Sequence, residues 1–393
     1  MNEWVNTELQ NVAEIIPGFA FKSEHFGDNG EPVIKITDIN PPYINIDYAQ
    51  KVDLSFYNLD KLKKYFLERN DFVVAMTGAT IGKVGRNYSS TKAIVNQRVA
   101  KIKPMVNVDF DFVYYCIQGN DFQEFIQNNI DSHSAQENIS GTSIGRFPIL
   151  LPPLPEQKAI AGVLSSLDDK IDLLHRQNKT LEAMAETLFQ NFFIDNRKAT
   201  WQECTVGEFA DHDKTSTHPN KNPGTFYYHY SIPAFDETML PVKEVGASIL
   251  SNKYQVANNV VLFSKLNPHR EKRIWLIPDS IPQNSICSTE FQVMKPKVEK
   301  YLFFLYGFLN HPQNYDEIAA GVGGTSSSHQ RIDPEVIFKT KSFLPDDETL
   351  TAYNEMIEPI FLKIDHNRKA IYELADMRDA LLPKLMAGEV RVD

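Results

Sequence analysis

The chain of 393 residues, 42% hydrophobic and 23% charged, has the make-up of a soluble globular protein with room for two ordinary domains plus helices. Its formal net charge of −11 argues against a purely nucleic-acid-binding surface, which is usually basic, so such a role would need a local basic face. Cys116, Cys204 and Cys287 lack CxxC spacing, which excludes a disulfide framework or a cysteine zinc site and fits a reducing cytoplasm; no apolar run approaches a membrane span, and Met1-Asn2-Glu3-Trp4 is unlike a signal peptide.

In chain order, the first half opens with Trp4 to Glu14, passes Asn40-Pro41-Pro42-Tyr43, and reaches a buried, β-branched strand, Asp71-Phe72-Val73-Val74-Ala75-Met76. Asn-Pro-Pro-aromatic is the string with which adenine-amine methyltransferases hold a flipped base. That chemistry also needs a glycine-rich S-adenosylmethionine loop after a strand, and only a polar leader of 39 residues precedes Asn40. A proline turn between two strands is the better account, with a standalone adenine-specific DNA methyltransferase as the alternative. Gly78 through Lys83 has three residues between its glycines where a P-loop has four, and Val84 replaces the Ser or Thr, so nucleotide binding is not read from it. A strand Val99-Ala100-Lys101-Ile102-Lys103-Pro104, an aromatic amphipathic helix around Phe112-Val113-Tyr114-Tyr115 and a polar loop Ser134 to Ile139 follow. Histidines have no metal-ligand spacing and no catalytic constellation emerges, so the chain is read as non-catalytic, with neither cofactor nor metal of its own.

After Leu151-Pro152-Pro153-Leu154-Pro155, apolar residues at Leu164, Leu167, Ile171, Leu174, Leu181, Ala185 and Leu188 mark a helix, and Lys170-Ile171-Asp172 recurs 193 residues later as Lys363-Ile364-Asp365. The second half repeats the order. Trp201 to Asp211 matches the start, Asn259-Val260-Val261-Leu262-Phe263 the first strand, and Phe291 to Pro296 the second. Tyr301 to Phe304 matches the aromatic helix, Ser327 to Ile332 the polar loop, and Ile357, Ile360, Ile364, Ile371, Leu374 and Leu381 the helix. The fold class is therefore α+β: two similar globular domains, 1–154 and 196–343, each followed by a conserved helical region, 155–195 and 344–393. Ser165-Ser166-Leu167-Asp168-Asp169 resembles a capping box and Pro359 suits a first turn. Each half should thus hold a short helix, a break and a long helix, the long ones from about Ser166 to Phe192 and from Pro359 to Leu382.

On a heptad reading each seam contains one asparagine. An antiparallel pairing sets Asn178 against Asn367, Ile171 against Leu374, Leu174 against Ile371, Leu181 against Ile364 and Ala185 against Ile360, with Leu167 continuing the stripe. An unpaired buried amide would cost about 1–3 kcal/mol, which favours this antiparallel, pseudo-twofold coiled coil over a parallel one. Such a rod of about 26 residues would span roughly 40 Å.

Basic and amide side chains fall at matching places. In the first domain Lys83, Arg86, Lys92, Gln97, Arg98, Lys101 and Lys103 surround an expected hairpin, and in the second Lys265, His269, Arg270, Lys272 and Arg273 do so. Ser134 and Gln136, and Ser326, His329, Gln330 and Arg331, lie on the polar loops. One such cluster would be an ordinary solvated face; its recurrence in both halves raises a nucleic-acid reading, with Arg and Lys suited to phosphates and guanine edges and Gln to adenine.

Leu151-Pro152-Pro153-Leu154-Pro155-Glu156-Gln157, the helix from Leu167-Asp168-Asp169-Lys170-Ile171, the turn Gly78-Ala79-Thr80-Ile81-Gly82-Lys83-Val84-Gly85 and the closing Leu381-Leu382-Pro383-Lys384-Leu385-Met386-Ala387-Gly388-Glu389-Val390 resemble the specificity subunits of type I restriction-modification systems. The resemblance covers the whole chain. It implies two target-recognition domains that each read half of a split double-stranded DNA site in the major groove. The helices would measure the gap and dock two methyltransferase subunits and the restriction and translocase subunits, which would hold S-adenosylmethionine, ATP and Mg. A 40 Å rod corresponds to about twelve base-pair rises of 3.4 Å. The second domain departs from the pattern, with Ser264-Lys265-Leu266-Asn267-Pro268 in place of the glycine turn, which leaves its contacts open.

Overall fold

The computed structural model describes residues 4–130, 137–277, 280–323 and 330–392. It divides into two compact units, Met1–Asp172 with Leu374–Asp393, and Leu173–Glu373. These units cut across the four linear segments implied by the sequence, because the ends of both long helices are buried inside the domains. Ile160, Ala161 and Leu164 of the first long helix and Leu382 and Leu385 of the second join Phe72, Phe112 and Phe122 in the core of the first unit. Ala185 and Phe189 of the first helix and Leu350, Tyr353 and Ile357 of the second join Phe209 and Phe304 in the core of the other.

Among the described residues, the main sheet of the first unit runs in the order Ala13–Pro17, Val99–Pro104, Phe72–Ala75, Val84–Arg86, Tyr43–Ile44, Ile39–Asn40. The second unit repeats its first four places as Ala210–Asp213, Phe291–Pro296, Val260–Ser264, Ile274–Ile277. Alternation along these strands sends Phe72, Val74, Ala100 and Ile102 to the core shared with the helices and Val73, Ala75 and Val99 to a second core on the other face. In the second unit Val261, Phe263 and Met294 take the first role, and Leu262, Phe291 and Val293 the second. Register gives the correspondence: Phe72 pairs with Ile102, and Val261 with Met294. Phe72 therefore matches Val261. This fixes a register that the two strings, six residues against five, leave open in the sequence, where a slip of one would exchange the faces of the strand.

The tryptophan repeat is a tertiary device. Val5–Glu8 pairs with Pro148–Leu151, and Gln202–Thr205 with Lys341–Leu344. Beside each ladder an indole N–H donates to an acid, Trp4 to Glu156 at 3.0 Å and Trp201 to Asp346 at 2.8 Å. Each tryptophan thus ties the start of its domain to an acid at or just before the beginning of the following helix.

Both long helices are continuous. The first spans Leu154–Phe189, 36 residues, and ends in a π-type turn Gln190–Asp195; the second spans Asp347–Met386, 40 residues. The breaks expected at Ser165 and Pro359 are absent. The hydroxyls of Ser165 and Ser166 donate backward to the carbonyls of Gly162 and Val163, at 3.4 and 2.7 Å, instead of capping a new helix. Pro359 lies on an exposed face, so the carbonyl deprived of its N–H meets water, while buried Ile357 and Ile364 hold the turns around it.

The seam has the expected polar centre. Asn367 Nδ2 donates to Asn178 Oδ1 at 2.9 Å, with Asn367 0% and Asn178 7% exposed. Ile171, Leu174, Ala185 and Ile364 are buried, and Leu167, Leu181, Ile360, Ile371 and Leu374 partly so. In the first unit Arg378, the charged member of the second helix's seam, donates to Asp168 at 2.9 Å, and Asp168 also accepts from the Tyr115 hydroxyl at 2.7 Å. Burial alone would lower the Arg378 pKa, but Asp168 and Asp379 together outweigh it and the pKa is raised.

Two stability measurements follow from this packing. Asn178→Leu strands the Asn367 amide and should cost about 1–3 kcal/mol in urea denaturation, most of it recovered by adding Asn367→Leu. Pro359→Ala should stabilise the protein by up to about 3 kcal/mol, since the proline sits inside a helix; a first-turn proline would give no gain.

Candidate nucleic-acid interface

The hairpin of Phe72–Ala75 and Val84–Arg86 closes through residues 76–83, where three stretches of the first unit meet. The Met76 N–H donates to the Arg98 carbonyl at 2.9 Å, the Ile139 N–H to the Met76 carbonyl at 2.9 Å, and the Gly78 N–H to the Glu137 carbonyl at 3.0 Å. Thr77 and Asn138 form an antiparallel bridge. The second unit repeats this ladder bond for bond. Lys265 donates to the Glu290 carbonyl at 2.9 Å, Ile332 to Lys265 at 3.1 Å and Asn267 to Gln330 at 2.8 Å, with Leu266 bridging Arg331.

Gly78 and Asn267 occupy the same place, and both have left-handed backbone, φ +72° and +47°. Glycine adopts this without a Cβ penalty, and asparagine is the side chain that tolerates it best. Asn267 also accepts from the Gln330 N–H through its own Oδ1 at 3.2 Å. Ser264–Pro268 is therefore the same turn in different residues, although the sequence reads as a departure from it.

The ladder sorts the candidate residues. Lys83, Gln97 and Arg98 are exposed beside it, with no side-chain hydrogen bond or ion pair among the described residues. Arg86 is not at the surface: it is 5% exposed, its guanidinium meets Asp111, its Nε donates to the Asn70 carbonyl at 3.1 Å, and it lies 4.9 Å over the Tyr114 ring. Lys101 is likewise spent on Asp71 and the Phe66 carbonyl. In the second unit Arg273, 7% exposed, forks onto Asp236 at 2.6 and 2.7 Å and meets Glu271. Lys272 donates to the Asn310 carbonyl at 2.7 Å. A buried cation must be paired, so Arg86 and Arg273 serve the fold. His269 and Arg270 are exposed, and Lys265 is half-buried with its pKa lowered chiefly by that burial. Gln330 is half-buried, and Arg331 places Nε and NH2 on Glu290 at 2.9 and 2.7 Å. Ser134, Gln136, Ser326 and His329 lie outside the described residues.

Sequence reading missed Asn267 and Glu290. The signal was present: Glu290 stands where the repeat aligns with Arg98, and Asn267 precedes a proline. Asn40–Tyr43 is the expected proline turn between two strands, with Asn40 paired to Tyr43. Tyr43 packs 5.3 Å from the Tyr88 ring, and its pKa is raised by burial and then by Tyr88, Asp172 and Asp168. Among the described residues no three His, Cys, Asp or Glu side chains are placed to hold a metal ion, and no helix is long and apolar enough to cross a membrane.

Residues 1–183 match the family model described as the type I restriction modification DNA specificity domain. The chain is 26% identical over 324 residues to the type I restriction enzyme MjaIX specificity subunit of Methanocaldococcus jannaschii, covering 76% of this chain and 73% of that protein. It is 28% identical over 377 residues to the type I restriction enzyme HindI specificity subunit of Haemophilus influenzae, covering 76% and 81%. In fold it is similar to the crystal structure of the type I restriction-modification system S subunit from M. genitalium, with a TM-score of 0.60, 15% identity, and coverage of 97% and 96%. The resemblance read from the proline string and the closing segment is borne out, as is the α+β fold with long helices.

The ladder predicts contrasting substitutions. Gly78→Ala should cost about 1–2 kcal/mol in chemical denaturation, for forcing a Cβ into left-handed backbone, whereas Asn267→Gly should add no backbone strain and cost only about 0.5–1.5 kcal/mol, the bond from the Gln330 N–H. Arg86→Ala should destabilise by about 3 kcal/mol, while Lys83→Ala should stay within about 0.5 kcal/mol.

Proposed function

We propose that this relative of type I restriction-modification specificity subunits, whose first 183 residues match a DNA specificity domain, gives sequence choice to partner subunits and has no catalytic centre of its own. Each globular unit reads half of a bipartite duplex site. Lys83, Gln97 and Arg98 meet DNA from the first unit, and His269, Arg270, Gln330 and Arg331 from the second. The long helices set the gap between half-sites and dock two methyltransferase subunits and the restriction subunits, which bring S-adenosylmethionine, ATP and magnesium.

The observation that carries this reading is the repeated ladder. The same backbone bonds in both units present exposed cationic and amide side chains, the chemistry that positions on phosphates and reads base edges. The overall charge of −11 is compatible with it when the helices and outer faces meet protein and only two small patches meet DNA. The rival reading as a standalone methyltransferase is weakened by Tyr43, which packs on Tyr88 instead of standing open to stack on a base.

The test is duplex binding by the complex reconstituted with its partner subunits, on a site located by methylome sequencing. Binding should be sequence-selective and salt-dependent, and Lys83→Ala and Arg98→Ala should each reduce the slope of log K against log salt by about 0.9. Binding without sequence preference would sink the proposal. S-adenosylmethionine crosslinking to the isolated chain would favour the methyltransferase instead.

A further inference from the structure

We infer that Arg331, oriented by Glu290, reads a guanine in the half-site of the second domain. The inference rests on the reading of both domains as DNA-recognition modules.

The two ladders share their backbone bonds but differ in where they put arginine. In the first unit it is Arg98, on the turn before Val99–Pro104; the matching residue in the second is Glu290. There the arginine comes from the facing segment, Arg331, where the first unit has Asn138. Each ladder thus presents one arginine, in opposite states. Arg98 has no side-chain partner among the described residues, which suits a phosphate contact needing charge but little orientation. Arg331 is clamped through Nε and NH2, at 2.9 and 2.7 Å, while about half of its side chain stays exposed.

This clamp uses one edge of the guanidinium and leaves the other. Nε and one N–H of NH2 are spent on the carboxylate; three N–H groups remain, and one on NH1 with the second on NH2 form a pair of parallel donors. That edge fits two adjacent acceptors in one plane, the arrangement that guanine O6 and N7 present in the major groove. A carboxylate beside a polyanion lowers phosphate affinity, so Glu290 is a poor choice for backbone binding and a good one for fixing the plane of a base-reading arginine. Asn267, His269 and Arg270, on the same turn, are placed to hold the adjoining backbone.

The bland alternative is a staple, an ion pair that merely holds residues 330–332 against the turn. Selection of bound duplexes from a library randomised in both half-sites, using the reconstituted complex, separates the two. Arg331→Lys retains the charge and should reduce preference for guanine at one position of one half-site by about 5- to 150-fold, leaving the other half-site unchanged. Glu290→Gln should weaken the same position less. The exchange Glu290→Arg with Arg331→Glu keeps an ion pair, so thermal melting should stay near that of the parent while the guanine preference is lost. Retained preference in the exchanged protein would identify a staple, and uniform weakening on all sequences by Arg331→Lys would identify a phosphate contact; either overturns the inference. A parent complex with no sequence preference would instead overturn the specificity reading itself.

Discussion

One amide-to-amide hydrogen bond, between Asn367 and Asn178, sets the register of the two long helices in the second unit, on which the rest of that unit is built. Leu and Ile along a heptad seam are nearly interchangeable, so apolar packing alone would tolerate a shift of one repeat. A buried amide does not tolerate it, because any shift strands a donor and an acceptor away from water. Within each unit the two helices are also built into the core: Ile160 and Leu164 from one helix and Leu382 and Leu385 from the other in the first, and Phe189 with Tyr353 and Ile357 in the second. Asp168 and Arg378 add a second polar tie within the first unit.

The domains show how a duplicated fold can diverge at its working surface. The ladder around each hairpin turn is made of backbone N–H and carbonyl groups, which carry no side-chain identity. Met76 can therefore become Lys265, Arg98 become Glu290 and Asn138 become Arg331 while every ladder bond persists. Only the left-handed position is restricted, and there the change is from Gly78 to Asn267, two residues able to occupy it.

Much of this was legible in the chain. The repeated tryptophans, the β-branched strands and the Lys-Ile-Asp string all marked real counterparts, and the asparagine pair followed from the cost of an unpaired amide. At Ser165 and Pro359 local preference favours a helix start, but packing of Leu164 on one helix and of Ile357 and Ile364 on the other holds each continuous. The register between the two β-branched strands is not legible in the sequence, because runs buried on both faces, such as Val73-Val74-Ala75, show no alternation to fix it.

The sequence by itself determined the duplication, the class of fold, the antiparallel seam and the resemblance to specificity subunits, because each is written in spacing and order. Only the tertiary structure decided which cations are available to a ligand. Arg86 and Arg98 look alike in a string, as do Arg270 and Arg273, yet one of each pair is buried against an acid and the other faces solvent. The reason is physical: the fate of a charge depends on what the fold places opposite it, and Asp111 and Asp236 lie 25 and 37 residues from the arginines they neutralise.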